Sequence, residues 1–299
     1  MKVAVIDVID PSSTIRNREV KLFEKICEER NIAFREFPAQ ILPVDAWFDE
    51  NTVCFVRGAV NRRLGFLDKV SHMELLGCTM VNSRHCIDWC NDKFITALLL
   101  ERAGLRQPIT RLIPSEYDGI IDYVVEDAGL SYPLVMKTIE GSYGLGVVKV
   151  DSAIGLKSTV QTLYDIYTGR DVIVQEYIEH KEDYRVHVLD NQVIASMRRT
   201  APEGDFRTNV ARGGTVEAVD LTPIEVDHCI QAANALDARW CGVDFIRTVN
   251  EPIIIEVNTA PQTEGIELAL SGSVEAADRD RPLLTTVIEH FLRIHNDKL

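Results

Sequence analysis

Positive charge is in short supply in this chain of 299 residues: 32 Lys and Arg stand against 46 Asp and Glu, a formal net charge of -14. Non-specific nucleic-acid binding rests on neutralising phosphates with Lys and Arg, so no nucleic-acid partner is expected. A small anionic ligand stays open, because a site can be locally basic on an acidic protein. Long apolar runs are missing too. None approaches the roughly 20 residues of a membrane span, so no membrane partner is expected. The opening MKVAVIDVID acquires Asp7 and Asp10 too early for a signal-peptide core and reads as a first strand. The seven cysteines, at 27, 54, 78, 86, 90, 229 and 241, are odd in number and scattered. That pattern predicts buried free thiols in a reducing, cytoplasmic compartment. HCIDWC (85–90) could supply metal ligands, but no second pair at zinc-finger spacing follows it. No internal repeat, low-complexity segment or long linker is present.

Hydrophobic residues make up 46% of the chain and charged residues 26%, the balance of an ordinary globular protein. Up to about residue 85, short apolar runs (VAVIDV, AFREF, TVCFVRG) alternate with helical patterns. That alternation predicts a small parallel α/β layer. DKFITALLLERAGL reads as an amphipathic helix stopped by Gly104. Beyond about residue 108 strands come in runs with short turns, which predicts antiparallel α+β.

Two familiar phosphate loops are absent. No stretch has four residues between two glycines followed by Lys and Ser/Thr opening a helix, and no G-x-G-x-x-G runs from strand into helix. Instead KTIEGSYGLGVVKV (137–150) carries Gly141, Gly144 and Gly146 between two strand-like runs. A glycine-rich hairpin can lie over phosphates as a flap, offering backbone N–H groups. Lys137 sits on the strand entering it. A mobile surface hairpin with a solvated lysine is the alternative.

A second constellation is GVDFIRTVNEPIIIEVN (242–258). If its two strands pair symmetrically about Asn250, Asp244 lies opposite Glu256. Asn258 then shares that face, since side chains alternate with period 2. Facing carboxylates repel unless a cation sits between them. Two carboxylates and an amide are hard oxygen ligands that suit Mg²⁺ completed by phosphate and water. A third is basic: Arg198, Arg199, Arg207 and Arg212 fall within MRRTAPEGDFRTNVARGG, and arginine suits bidentate grips on phosphate and carboxylate. In a fourth, VIVQEYIE, an apolar strand leads into Gln175, Glu176 and Tyr177, where backbone groups can meet an adenine edge.

Together these runs resemble the ATP-grasp superfamily, and within it the RimK-type ligases. EGDFRTN…RGG (203–214), GVDFI…IIEVN (242–258) and QEYI (175–178) carry the likeness, which extends from NDKF at 91 to TEGIE at 267. The resemblance implies an ATP-grasp fold of mixed α/β and α+β class. It implies a parallel pre-ATP-grasp domain over 1–90, a central subdomain with the glycine flap over 91–178, and a C-terminal subdomain with the metal and substrate site over 179–299. At matching positions it implies Lys93 and Lys137 on ATP phosphates, with the flap residues Gly141, Ser142, Gly144 and Gly146 closing over them. Gln175, Glu176, Tyr177 and Ile178 would form the adenine hinge. Asp183 would approach the ribose, in competition with Glu179 and Glu182, and Arg185 the phosphates or acid substrate. Arg207 and Asn209 would meet the reacting groups. Asp244, Glu256 and Asn258 would bind two Mg²⁺, with Mn²⁺ as a substitute. The chain departs from the family after Asn258, where Gln262 stands in place of glycine on the substrate side.

The implied reaction joins a carboxylate to an amine at the expense of ATP, through an acylphosphate. The acid would be a small molecule or peptide and the amine an amino acid, glutamate first among them. A carrier protein as substrate and self-association as a dimer or tetramer are further family implications. A kinase acting on a hydroxyl could use the same ATP site, and an ATP-binding regulatory protein would need fewer groups. The basic loop RGAVNRRLG (57–65) is a candidate contact for an anionic substrate, or a solvated turn.

Overall fold

A computed structural model of the chain describes residues 1–7, 18–39, 46–57, 65–141, 146–166, 171–202 and 214–297. The first layer is a parallel sheet of β1 (Lys2–Asp7), β2 (Ala33–Pro38), β3 (Thr52–Val56) and β4 (Thr79–Val81), in the order β2-β1-β3-β4. Helix α1 (Arg18–Glu29) connects β1 to β2, and α2 (Phe66–Leu75) connects β3 to β4. α1 buries Val20, Phe23, Ile26 and Cys27, one stripe of a 3.6-residue period. The connection then runs through α3 (Arg84–Asn91) and α4 (Lys93–Arg102). Between them Asp92 is extended, and its carboxylate accepts from the N–H groups of Phe94 and Ile95, so it ends one helix and caps the next.

The middle of the chain forms an antiparallel sheet ordered β5-β8-β6-β7: β5 (Thr110–Ile113), β6 (Leu134–Thr138), β7 (Val147–Val150) and β8 (Val172–Glu176). Helices α5 (Asp118–Asp127) and α6 (Ala153–Ile166) close a core of Ile113, Ile121, Leu134, Met136, Leu156, Val160 and Val174 over it. β6 and β7 are the two arms of the glycine hairpin, as expected. Gly146 has φ +72°, and a Cβ there would stand 2.8 Å from Thr138 Oγ1, so position 146 is built for glycine.

The third sheet is antiparallel and ordered β11-β10-β9-β12-β13: β9 (Glu182–Leu189), β10 (Gln192–Thr200), β11 (Thr215–Ala218), β12 (Trp240–Ile246) and β13 (Ile253–Asn258). α7 (Pro223–Ala235) precedes β12. It opens with a capping box in which Thr222 and Glu225 satisfy each other's backbone N–H groups. α8 (Glu264–Ser271), α9 (Val274–Asp280) and α10 (Pro282–Asn296) end the described chain. Strand alternation divides this sheet. Tyr184, Val186, Val188, Cys241, Val243 and Phe245 face α7 in one core. Along the opposite face, Trp240 and Met197 join Val3, Phe55, Leu284 and Phe291, so the first sheet and α10 share one core.

All seven cysteines are free and buried. No helix among the described residues is long and apolar enough to cross a membrane. Helices α3, α5, α8 and α9 and the short strands β4, β5 and β11 were not foreseen from the sequence.

Candidate active site

The face of the third sheet that is not packed on α7 carries several of the candidate residues. β12 and β13 pair with Asp244 directly opposite Glu256, as the symmetric register predicts, and Gly242 opposite Asn258. Toward the turn the register shifts, because Phe245 meets Ile254 and leaves Ile255 over as a bulge. On the other side, Asp244 pairs with Arg185 of β9, and Gly242 with His187. Period-2 alternation therefore puts Asp183, Arg185 and His187 on the face of Asp244, with Arg199 of β10 beside Asp183.

The expected repulsion at Asp244 is answered by arginine. Arg185 donates from Nε and Nη2 to the two oxygens of Asp244, both at 2.7 Å. Arg199 grips Asp183 at 2.7 and 2.6 Å and reaches Asp244 Oδ2 at 2.9 Å. Asp244 is buried, yet these guanidinium groups outweigh desolvation and hold its carboxyl low, at about 2. Asp183 thus lies in this network with both oxygens engaged by Arg199, rather than turned toward a ribose. Glu182 falls on the other face, 3.3 Å from Arg198.

The phosphate candidates converge from another direction. Lys93, the first residue of α4, reaches the carbonyl of Gly141 at 2.8 Å. Lys137 on β6 is partly covered, and desolvation lowers its pKa from 10.5 to about 8. Glu256 opposes that fall and the neighbouring charge of Lys93 adds to it. So Lys93, Lys137, Gly141 and Glu256 share one neighbourhood. At the hinge, Gln175 is buried and donates to Thr110 Oγ1 at 2.7 Å, while the Glu176 N–H donates to the Ile109 carbonyl at 2.9 Å. Lys149 lies 4.2 Å from the Tyr177 ring centre, and His180 Nδ1 meets the Ile178 carbonyl at 2.7 Å. Ser142, Gly144, Arg207, Asn209 and Arg212 lie outside the described residues.

Sequence reasoning missed three contributors. Arg199 was read as part of a basic run, with no sign that it would neutralise Asp183 and Asp244. His187 is fully buried with neither ring nitrogen partnered, and burial and the nearby charges of Arg185 and Arg57 lower its pKa to about 3. Arg57 belonged to the noted basic loop, but it is 2% exposed rather than solvated.

The chemistry of the donor set, two carboxylates and an amide, suits a hard cation. Asn258 and Glu256 are half-buried and could each offer a side-chain oxygen, and Asp244 Oδ1 accepts only one of the three hydrogen bonds to that carboxylate. No group of three or more His, Cys, Asp or Glu that could hold a metal is found among the described residues. A cation here would therefore rely on phosphate and water for the rest of its shell, as Mg²⁺ commonly does.

Solved structures place this architecture. A RimK domain ATP-grasp protein from Sphaerobacter thermophilus matches with TM-score 0.70 at 17% identity, over 97% of this chain and 98% of its own. The ATP-grasp ligase PsnB, solved with a minimal precursor, Mg and ADP, matches with TM-score 0.68 at 18% identity, over 96% of each chain. At such identities the likeness is one of fold, and that fold is ATP-grasp. Sequence comparison narrows it: the family described as "RimK-like ATP-grasp domain" matches residues 90–277, and the chain belongs to that family. A relative from Thioalkalivibrio sulfidiphilus described as "Probable alpha-L-glutamate ligase" is 36% identical over 224 residues, covering 74% of this chain and 71% of the relative.

Proposed function

We propose that this protein is an ATP-dependent carboxylate–amine ligase that joins an amino acid, glutamate first among the candidates, to a small-molecule or peptide acid. The observation that carries the reading is the convergence of Lys93, Lys137 and the Gly141 end of the flap on Glu256, which pairs across the strands with Asp244. A site for nucleotide alone needs the lysines and the hinge. Oxygen ligands and guanidinium groups beside them suit a transferring phosphoryl group and the acid that receives it.

Lys93 and Lys137 hold the phosphates, and Gln175 to Ile178 present backbone groups to adenine. Asp244, Glu256 and Asn258 would hold Mg²⁺, two ions by family analogy, which would neutralise charge on the phosphates. Arg185 is the more accessible partner of Asp244, with 13% of its side chain exposed against 4% for Arg199. It is the guanidinium that turns to the acid or the γ-phosphoryl group, with Arg207 and Asn209 assigned to the same centre. An acid oxygen attacks the γ-phosphorus and ADP leaves. The amine nitrogen then attacks the acyl carbon, phosphate leaves, and the nitrogen loses its extra proton. Positioning and fixed charge do the catalysis, with no covalent enzyme intermediate.

The test is ADP release with Mg²⁺-ATP and hydroxylamine across a panel of acids that includes glutamate-ended peptides. ADP together with a hydroxamate for one acid is the expected result. ADP with a phosphorylated product and no hydroxamate would replace the ligase by a kinase.

A further inference from the structure

Arg57 follows β3 in the first sheet, yet it is fixed against the third. Glu19 takes its Nε and Nη2 at 2.9 and 2.8 Å, and the Pro261 carbonyl takes a second Nη2 hydrogen at 2.5 Å. Its guanidinium carbon stands 4.5 Å from the Trp240 ring centre. Thr263 Oγ1 donates to Glu19 at 2.7 Å, and Asn82 Nδ2 donates to the Thr259 carbonyl at 3.0 Å. Three residues of the N-terminal part of the chain thus grip the 259–263 turn, which follows the candidate metal ligand Asn258. Pro261 and Thr263 are buried, and Gln262 between them is exposed.

This rigid arginine is incomplete. Arg57 Nη1 is buried and unpartnered, as are Trp240 Nε1 and both nitrogens of His187. A neutral imidazole carries one N–H, so three unmatched donors gather here. Each leaves a buried polar group unsatisfied, which is costly unless something supplies an acceptor. The place is next to the site. A Cβ on Gly242 would lie 2.8 Å from Pro261 Cβ and 3.7 Å from Arg185 Nε. Gly242 is one alternate row, roughly 7 Å, along β12 from Asp244. The lysines gather at Glu256, on the Asp244 row, so the donor group lies on the side of that row away from the turn.

We propose that Arg57, with Trp240 and His187 beside it, binds a free carboxylate of the substrate pair, one that is not activated. The proposal rests on the ligase reading and names the chemistry of the substrate's far end: an acceptor-only anion, which would supply the partner that these buried N–H groups lack. That carboxylate belongs either to the incoming amino acid or to the acid as a second carboxyl group.

The experiment compares wild type with Arg57→Gln and Arg57→Lys on each substrate and on its carboxamide analogue. A charged hydrogen bond of this kind is expected to be worth about 10- to 100-fold in KM. Arg57→Gln should raise KM for the carboxylate by that factor and leave KM for the carboxamide within about twofold. Hydroxylamine separates the sources. If the amine carries the group, hydroxamate formation keeps its wild-type KM for the acid; if the acid carries it, that KM rises. Equal losses on carboxylate and carboxamide in both variants would mean that Arg57 only supports the fold, and the proposal falls. A binding arm needs no turnover: L-glutamate should raise the Tm of the wild type loaded with a non-hydrolysable ATP analogue and Mg²⁺ more than its α-amide or γ-amide does. No hydroxamate with any acid would fail the ligase reading; equal Tm shifts from glutamate and both amides would assign the carboxylate to the acid, and equal kinetic losses on carboxylate and carboxamide for both substrates would fail Arg57.

Discussion

Replacing Lys137 with methionine should make the nucleotide-free protein more stable. Partial burial holds this ammonium at about 8 against an ordinary 10.5. A displacement of about 2.5 pH units corresponds to roughly 3 kcal/mol at 1.36 kcal/mol per unit. The side chain is not wholly covered, and water relieves part of that penalty, so about 2 kcal/mol is expected. The folded pKa lies below the unfolded one. The destabilisation is therefore complete below about pH 8, where both states are protonated, and fades as pH rises toward 10.5, where both are neutral. Urea unfolding of Lys137→Met at pH 7 should give a midpoint above wild type, and the gap should narrow between pH 8 and pH 10. With Mg²⁺-ATP the gap should shrink or reverse, because the wild type, with Lys137 as well as Lys93 on the phosphates, gains more binding free energy than the variant. A variant less stable than wild type at pH 7 without nucleotide, or a gap unchanged from pH 7 to pH 10, would refute the reasoning.

Arg199→Met leaves Asp183 and Asp244 buried without their shared cation, and should cost about 3–5 kcal/mol in urea unfolding; a second change, Asp183→Asn, should recover part of it. Gly242→Ala forces a Cβ to 2.8 Å from Pro261 and should displace the 259–263 turn, lowering ADP release at a stability cost of about 1–3 kcal/mol. Thr222→Ala removes half of the α7 capping box and should cost about 1 kcal/mol in thermal unfolding, with ATP affinity unchanged.

What the sequence made legible was whatever repeats along the chain. The opposition of Asp244 and Glu256 followed from counting outward from Asn250, and the hairpin arms followed from apolar runs around three glycines. The bulge at Ile255 was not legible, because period 2 carries no sign of an extra residue. Nor was the role of Arg199. Its partner Asp183 is sixteen positions away and Asp244 forty-five, and only sheet pairing brings them together. Arg57 read as solvated because charge in a loop usually is. Its burial depends on Pro261 and Trp240, at the other end of the chain. The helices α8 and α9 are eight and seven residues long, about two turns each, too short to show a 3.6-residue period.

One core joins Val3, Phe55 and Val81 to Trp240, Leu284 and Phe291, while the middle sheet keeps a core of its own between Ile113 and Val174. A chain made from its N-terminus therefore meets its packing partners out of order. The middle sheet has every residue of its core once position 174 has left the ribosome. The first sheet, synthesised earlier, has only α1 (Val20, Phe23, Ile26) over Val3 and Phe55 until α10 arrives more than two hundred residues later. During that interval the candidate site is incomplete, since the turn that Arg57 holds has not been made. The strands translated first are among the last to be enclosed.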